Sequence, residues 1–313
     1  MKFGIFTFFD ASYINQGIAL LQSVLKQEGE IFKVIVYPLD ETTKEELTRW
    51  FGSNEKVTIR SATNEIREVT KGTDEIKSRH HFYMLKPFLF TKTIKENDDL
   101  DWIFYLDADL YHFKPCLYET IIHSKSKSVI LSKHIFSQRT RGHEIYGRLN
   151  AGFIGINFGA EEGRSFIFRW AAECLRAFTA MECEADFSDQ KVLDLCAGQE
   201  TEVFIVDKLG INQSTWVLDR ISTPNSLLRV RKLIQDLKIF HFHGFEDSSS
   251  TTILGTERYG NFSGGKRNLI HYIYVPYLKH QQEIRNRRKL PSKFVIENIR
   301  ISKFRYAKAV RWF

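Results

Sequence analysis

The stretch Trp102–Phe113, WIFYLDADLYHF, decides the reading of this 313-residue chain. Its first five residues, Trp102 to Leu106, are an unbroken apolar run of the kind a strand buried on both faces of a sheet requires. Such a strand has no reason to carry two carboxylates unless it is ending, so Asp107 and Asp109 are expected at its C-terminal mouth. Strand alternation would put both on one face, with Ala108 between them, roughly 7 Å apart at about 3.3 Å per residue. One hard divalent cation can bridge that gap. Carboxylate oxygens suit Mg²⁺ or Mn²⁺, and in open α/β sheets such sites lie beyond the carboxyl ends of the strands. A bare D-x-D is also a common turn, so the rest of the chain has to support the assignment.

Working outward, strand and helix patterns alternate. Lys2–Phe9 reads as a strand, Asp10–Tyr13 as a turn with helix-capping chemistry, and Ile14–Gln27 as a helix with Ile18, Leu21 and Leu25 in line. Phe32–Tyr37 is a second strand. Thr42-Thr-Lys-Glu-Glu46 opens a helix in capping-box style, and Val57–Ile59 is a third strand. Ser78–Lys92 reads as a helix carrying Arg79 and Lys86, Val129–Leu131 as a strand, and 135–148 as a loop over the site. Asn150–Asn157 returns as a strand whose Gly152 and Gly155 suggest a backbone pressed against something. An amphipathic helix over Arg164–Met181, a short helix after Asp189-Gln190, and strands at Val203–Val206 and Lys238–Gly244 follow. This order predicts a doubly wound, mostly parallel sheet. Residues 246–265, rich in Ser, Thr and Gly, read as a linker between a body (1–245) and a tail (266–313).

Composition narrows the class. With 43% hydrophobic and 14% aromatic residues the chain has material for a large core. Cys116, Cys174, Cys183 and Cys196 form no C-x-x-C pair, which favours reduced thiols and a cytoplasmic protein over disulfides or zinc. MKFGIFTFFDAS is read as the first strand and not as a secretion signal, and no apolar run approaches the roughly 20 residues of a spanning helix. The net charge of +7 is uneven: from Lys266 onward thirteen Lys/Arg face two Glu, so the body before it is mildly acidic.

In Lys238–Gly244, KIFHFHG, Phe240 and Phe242 take one side of a strand and His241 and His243 the other. Beside a D-x-D, an imidazole completing an Asp₂His set biases a site from Mg²⁺ toward Mn²⁺. The ordered motifs D-A-S-Y (10–13), Y-L-D-A-D-L (105–110), N-A-G-F-I-G-I-N (150–157), D-Q-K-V-L-D (189–194) and H-F-H-G (241–244) together resemble the nucleotide-diphospho-sugar transferases of the GT-A fold. The nearest likeness is to retaining glycosyltransferase family 8 and uncharacterised bacterial relatives, over residues 3 to 245.

The resemblance implies a Rossmann-like GT-A α/β fold and a metal set of Asp107, Asp109 and His241, with His243 behind it. It also implies donor contacts from Asp10, Tyr13, Arg79, Asp107, Asn150, Ala151 and Gly152, with Asp189 and Gln190 under the anomeric carbon. By composition alone Asp10 is equally a helix N-cap, Asn150 a strand cap, and Asp189 the start of a helix. The implied activity is metal-dependent transfer from a nucleoside-diphosphate sugar, UDP being the usual carrier, to a saccharide or glycolipid acceptor. One departure stands out: the family's H-x-x-G usually runs on to K-P-W, whose lysine covers the diphosphate, whereas Gly244 is followed by Phe-Glu-Asp-Ser. Lys208, Lys238 or Lys266-Arg267 are the substitutes to weigh.

Two other classes compete. A nucleotidyltransferase shares a related sheet but calls for a Gly-rich, lysine-containing loop after the first strand, and FTFFDASY has no glycine. A nucleic-acid-binding protein would use the basic tail, where Phe304, Tyr306 and Trp312 interleave with arginines, but leaves the acidic site unexplained, so no nucleic acid is expected. The tail also reads as a basic helix from Pro291 to Phe313 with Val295, Ile299, Tyr306, Val310 and Phe313 near one face. That pattern suits peripheral attachment to the inner face of an anionic membrane, where lipopolysaccharide-type acceptors are found, or packing on its own domain.

Overall fold

The computed structural model describes residues 1–72, 76, 78–136, 141–180, 188–198, 201–206, 210–218, 232–247, 252–253, 270–290, 299–301 and 304–305. The chain begins β1 (Phe3–Phe9), α1 (Ile14–Gln27), β2 (Lys33–Pro38), α2 (Glu41–Phe51), β3 (Val57–Ile59), α3 (Thr63–Val69) and α4 (Arg79–Lys95). It continues with β4 (Trp102–Leu106), β5 (Leu110–His112), α5 (Leu117–His123), β6 (Val129–Lys133), β7 (Leu149–Asn157), α6 (Glu161–Thr179), α7 (Asp189–Ala197) and β8 (Val203–Val206). Then come β9 (Gln213–Ser214), α8 (Thr215–Leu218), β10 (Ile239–His241), β11 (Glu246–Asp247), β12 (Thr252–Ile253), α9 (Val275–Arg287), β13 (Ile299–Ile301) and β14 (Phe304–Arg305).

Seven strands make the central sheet in the order β3-β2-β1-β4-β7-β6-β8. All neighbours are parallel except β7, which runs antiparallel to both β4 and β6. Period-two alternation sorts the strands' side chains into two cores. Phe3, Ile5, Trp102, Phe104 and Leu106 face α1, α2 and α5, while Phe6, Phe8, Ile103 and Tyr105 face α3, α4, α6 and α7. A doubly wound sheet results, as the alternation of elements predicts. Cys116, Cys174 and Cys196 are buried and unbridged, and burial pushes the Cys116 and Cys174 thiols well above their ordinary value. Cys183 lies outside the described residues.

Three local expectations change. The cap of α2 is Asp40, whose carboxylate accepts the Thr43 N–H at 2.7 Å, and not the Thr42-to-Glu46 box. Within the expected linker, β11 and β12 pair antiparallel. The segment read as a helix from Pro291 is extended where it is described: β13 pairs parallel with β12, and β14 folds back on β13. The Ile-Arg-Ile alternation of 299–301 fits a strand as well as a helix face, and an open β12 edge to pair with decides between them.

The earlier part of the tail is helical and belongs to the body. A π-turn at Ile270–Tyr274 runs into α9, and Ile273, Tyr274, Tyr277, Leu278 and Ile284 are buried in the same core as α1 and β10. Tyr277 stacks on Phe242 with ring centroids 3.7 Å apart. Arg288 Nε lies 3.3 Å from Glu46. Apart from the exposed Tyr272, the aromatic run Leu269–Leu278 is thus spent, where described, on packing against its own domain. No described helix is long and apolar enough to cross a membrane. Truncating Tyr277 to Ala is expected to cost about 3–5 kcal/mol of stability, the range for a buried aromatic, read from urea unfolding. A loss under about 1 kcal/mol would show that α9 is not integral to the core.

Candidate active site

Past Leu106 the chain does not continue as a strand. Asp107 closes a turn, its carbonyl accepting the Leu110 N–H at 3.0 Å, and β5 then leaves for a second small sheet, antiparallel to β10. The two aspartates converge because the chain bends, not because one strand face presents both. They meet His241, at the end of β10: its Nε2 lies 3.0 Å from Asp109 Oδ1 and 3.9 Å from Asp107 Oδ2.

The opposite wall is a bulge in β7. Leu131 of β6 pairs with Ile154 and the next residue, Ser132, with Asn150, leaving Ala151–Phe153 without partners on β6, while Phe153 stays paired with Leu106 of β4. Each polar backbone atom of Ala151 and Gly152 goes to a residue of the site. Ala151 N donates to Gln190 Oε1 at 3.1 Å, Ala151 O accepts from Lys86 Nζ at 3.2 Å, Gly152 N donates to Asn150 Oδ1 at 2.8 Å, and Gly152 O accepts from Asp107 N at 2.9 Å. A Cβ on Gly152 would sit 2.6 Å from Asp107 Oδ2 and 2.8 Å from His241 Cε1. Glycine here is what lets the ligand groups close up, and Gly155 likewise lies against the Phe104 ring.

That bulge also fixes the protonation of His241. Because the Gly152 N–H takes Asn150 Oδ1, Asn150 Nδ2 must face His134 Nε2, 2.8 Å away. Asn212 Nδ2 also donates to Asn150 Oδ1, at 2.8 Å, and to Ser132 Oγ at 2.6 Å, so Asn212 Oδ1 faces His241 Nδ1 at 3.0 Å. A carbonyl oxygen can only accept, so Nδ1 carries the proton. His241 Nε2 then points a lone pair at the Asp109 carboxylate 3.0 Å away, an arrangement that needs either a second proton or a cation. Burial opposes charge on both groups, but each holds the other ionised: His241 is raised and Asp109 lowered from their ordinary values. The donor set of two carboxylates and an outward imidazole nitrogen fits a divalent ion of the Mn²⁺ or Mg²⁺ class.

Behind Asp107 lies a residue the sequence reading passed over as a site residue. Lys86 is buried, with Nζ 3.1 Å from Asp189 Oδ2 and 3.5 Å from Asp107 Oδ1. Burial disfavours its charge, yet Asp107 and then Asp189 outweigh this and hold the ammonium above the usual lysine range. The Tyr105 hydroxyl donates to Asp107 Oδ1. The available signal was a lysine among the buried Met84, Leu85 and Leu89 of α4, followed by Pro87 inside the helix.

These groups open on a cavity of about 540 Å³, whose walls include Asp10, Tyr13, Lys86, Asp107, Asp109 and His243. Asp10 also accepts from Ser12 N at 2.9 Å, so its capping and cavity-facing readings coexist. Asn150, Ala151 and Asp189 are buried, and Gln190 is tied to the bulge, so these four sit in the floor behind the cavity. Arg79 opens α4, but its side chain lies outside the described residues. Of the substitutes for the missing lysine, Lys238 is bonded to Glu119, while Lys208, Lys266 and Arg267 lie outside the described residues.

No protein-family model and no curated protein matches the chain. Solved structures do resemble it. Against the bifunctional glycosyltransferase WbbM in its apo form it is 15% identical with a TM-score of 0.56, over 80% of this chain and 47% of that one, so the chain spans about half of that protein. Against apo mouse xyloside xylosyltransferase 1 the identity is 14% and the TM-score 0.51, over 78% and 98%. Against the galactosyltransferase LgtC, in complex with donor and acceptor sugar analogs, they are 16% and 0.52, over 77% and 87%. At such identities the likeness is one of fold, and the fold is GT-A.

Burial, with the positive charge of His241 and His243 added, lowers His134 to about 3. The unfolded chain takes up this proton below about pH 6.5 and the folded chain refuses it until about 3. Stability from this residue is therefore complete above 6.5 and lost as pH falls toward 3, at up to about 1.4 kcal/mol per pH unit. His134→Gln is expected to flatten the stability curve across that window, measured by urea unfolding at stepped pH. Parallel curves for the two proteins would show that His134 is not held neutral.

Proposed function

We propose that this chain is a metal-dependent glycosyltransferase. In this reading it moves a hexose from a nucleoside-diphosphate sugar, with UDP the favoured carrier, to a saccharide or glycolipid acceptor, with retention at the anomeric carbon. The observation that carries the reading is the convergence of Asp107, Asp109 and the outward Nε2 of His241 at the mouth of β4, within a cavity that the end of β1 also lines. LgtC, of similar fold, was solved with donor and acceptor sugar analogs. A nucleotidyltransferase is disfavoured because β1 runs into a 3₁₀ turn at Ala11–Tyr13 and not a glycine-rich phosphate loop.

When bound, a divalent cation supplies Lewis-acid stabilisation of the departing nucleoside diphosphate. The chain's own residues do the rest. Asp10 and Tyr13 at the end of β1 meet the base and ribose. Asp107, Asp109 and His241 hold the ion. Lys86 is shared between Asp107 and Asp189, so it orders those carboxylates and is already neutralised as a diphosphate clamp. Burial and the charge of Asp107 keep Asp189 raised from its ordinary value against the pull of Lys86. With Asp189 behind Lys86 and Gln190 Oε1 occupied, a front-face course fits. The bond from the anomeric carbon to the phosphate oxygen breaks, the acceptor oxygen bonds to that carbon on the same face, and its proton passes to the leaving phosphate.

Asp107→Asn and Asp109→Asn are each expected to abolish Mn²⁺-dependent sugar-nucleotide hydrolysis or transfer while leaving the protein folded, since Lys86 keeps Asp189 as a partner in the first and an amide in place of the Asp109 carboxylate can donate to His241 Nε2 in the second. Full activity in both variants would sink the metal assignment. The same reading places the enzyme in cell-surface polysaccharide or lipopolysaccharide synthesis at the cytoplasmic face of the membrane, held by the basic residues beyond Leu290. Because α9 is part of the core, the test neutralises Lys293, Arg300, Lys303, Arg305, Lys308 and Arg311 to Gln instead of truncating. Sedimentation with anionic liposomes is expected to drop and its salt dependence to vanish. Unchanged sedimentation would leave the enzyme without a tail anchor.

A further inference from the structure

A second imidazole, that of His243, lies beside the proposed cation position. The ligand atoms of Asp109, His241 and His243 all lie within 4.8 Å of one another. Donors spread around one ion at about 2.1 Å are separated by roughly 3 to 4.2 Å, so modest rotations bring all of them onto a single centre. Asp107 Oδ2 lies 3.9 Å from His241 Nε2.

The backbone holds His243 in this position from three directions. The Phe242 N–H donates to the Asp109 carbonyl at 2.9 Å, which pins the segment to the D-x-D turn. The Phe242 ring between the two histidines in sequence is fully buried and stacked on Tyr277, which anchors the backbone that carries both imidazoles. The next turn, closed by Phe245 N to Phe242 O at 2.9 Å with Gly244 at φ 72°, keeps His243 on the cavity wall. The two imidazoles lie 5.6 Å apart at 84°, both against Trp216.

We propose that His243 is a fourth protein ligand, making an Asp₂His₂ centre that selects Mn²⁺ or a later borderline ion over Mg²⁺. The inference rests on the metal site proposed above and goes beyond it. A second imidazole would add nitrogen donation that Mg²⁺ does not favour.

The test compares the full chain with His243→Phe, which keeps an aromatic ring against Trp216, and with Asp109→Asn. Mn²⁺ binding is followed by paramagnetic resonance and Mg²⁺ by competition, each with UDP present. In the full chain, spin-echo modulation is expected to show two directly bound imidazole nitrogens. In His243→Phe it should show one, with Mn²⁺ affinity down about tenfold or more and Mg²⁺ affinity within about twofold. One nitrogen in the unaltered chain, or an unchanged Mn²⁺-to-Mg²⁺ ratio in the variant, overturns the fourth ligand and leaves the three-ligand site standing. Loss of neither ion in Asp109→Asn, or no Mn²⁺ binding by the unaltered chain, overturns the site itself.

Discussion

The bulge at Ala151–Phe153 is the constraint on which the rest of the site depends. An interruption in a buried strand would ordinarily strand backbone polar groups at a cost of about 1–3 kcal/mol each. Here Lys86, Asp107, Asn150 and Gln190 satisfy the four atoms of Ala151 and Gly152. The side chains of the site are thereby ordered by the backbone they stabilise, and a single N–H, that of Gly152, sets the orientation of two amides and the tautomer of His241. Substitutions at Asn150, Asn212 and His241 should therefore be strongly non-additive, because each removes part of the same chain of bonds.

Charge explains why this arrangement calls for an ion. Asp107, Asp109 and Asp189 bring three carboxylates to one region, and Lys86 answers for only one of them in full. With His241 neutral the balance is short by two positive charges, which one divalent cation supplies. Without it, a proton between His241 and Asp109 is the remaining means of relief, since each of the two groups favours the charged form of the other.

Much of this was legible in the residues, for reasons that can be named. The central sheet could be read from β1, β2 and β4 because buried strands are long, apolar and bounded by turn residues, and Gly152 and Gly155 betrayed close backbone approach. Asp107, Asp109 and His241 were legible because polar groups at the ends of buried strands have few structural uses. The route by which the aspartates meet was not, since strand alternation cannot foresee a turn that replaces a strand. Lys86, Asn212 and His134 escaped for a related reason: a buried polar residue in the middle of an element is recognised by its partners, and those are distant in sequence. The Ile299–Ile301 segment shows the converse, where one apolar spacing served two periods and only a neighbouring strand edge chose between them.

The stacking of Tyr277 on Phe242 ties the candidate site to a late part of the chain. Phe242 lies between the two histidines, and its ring is covered by a helix that ends at Arg287. During synthesis the sheet strands and both aspartates emerge well before that helix does. A chain lacking that helix would keep the carboxylates but lose the packing behind the ring that separates the two imidazoles. Seating of the two imidazoles is thus coupled to completion of the core through the burial of one aromatic ring.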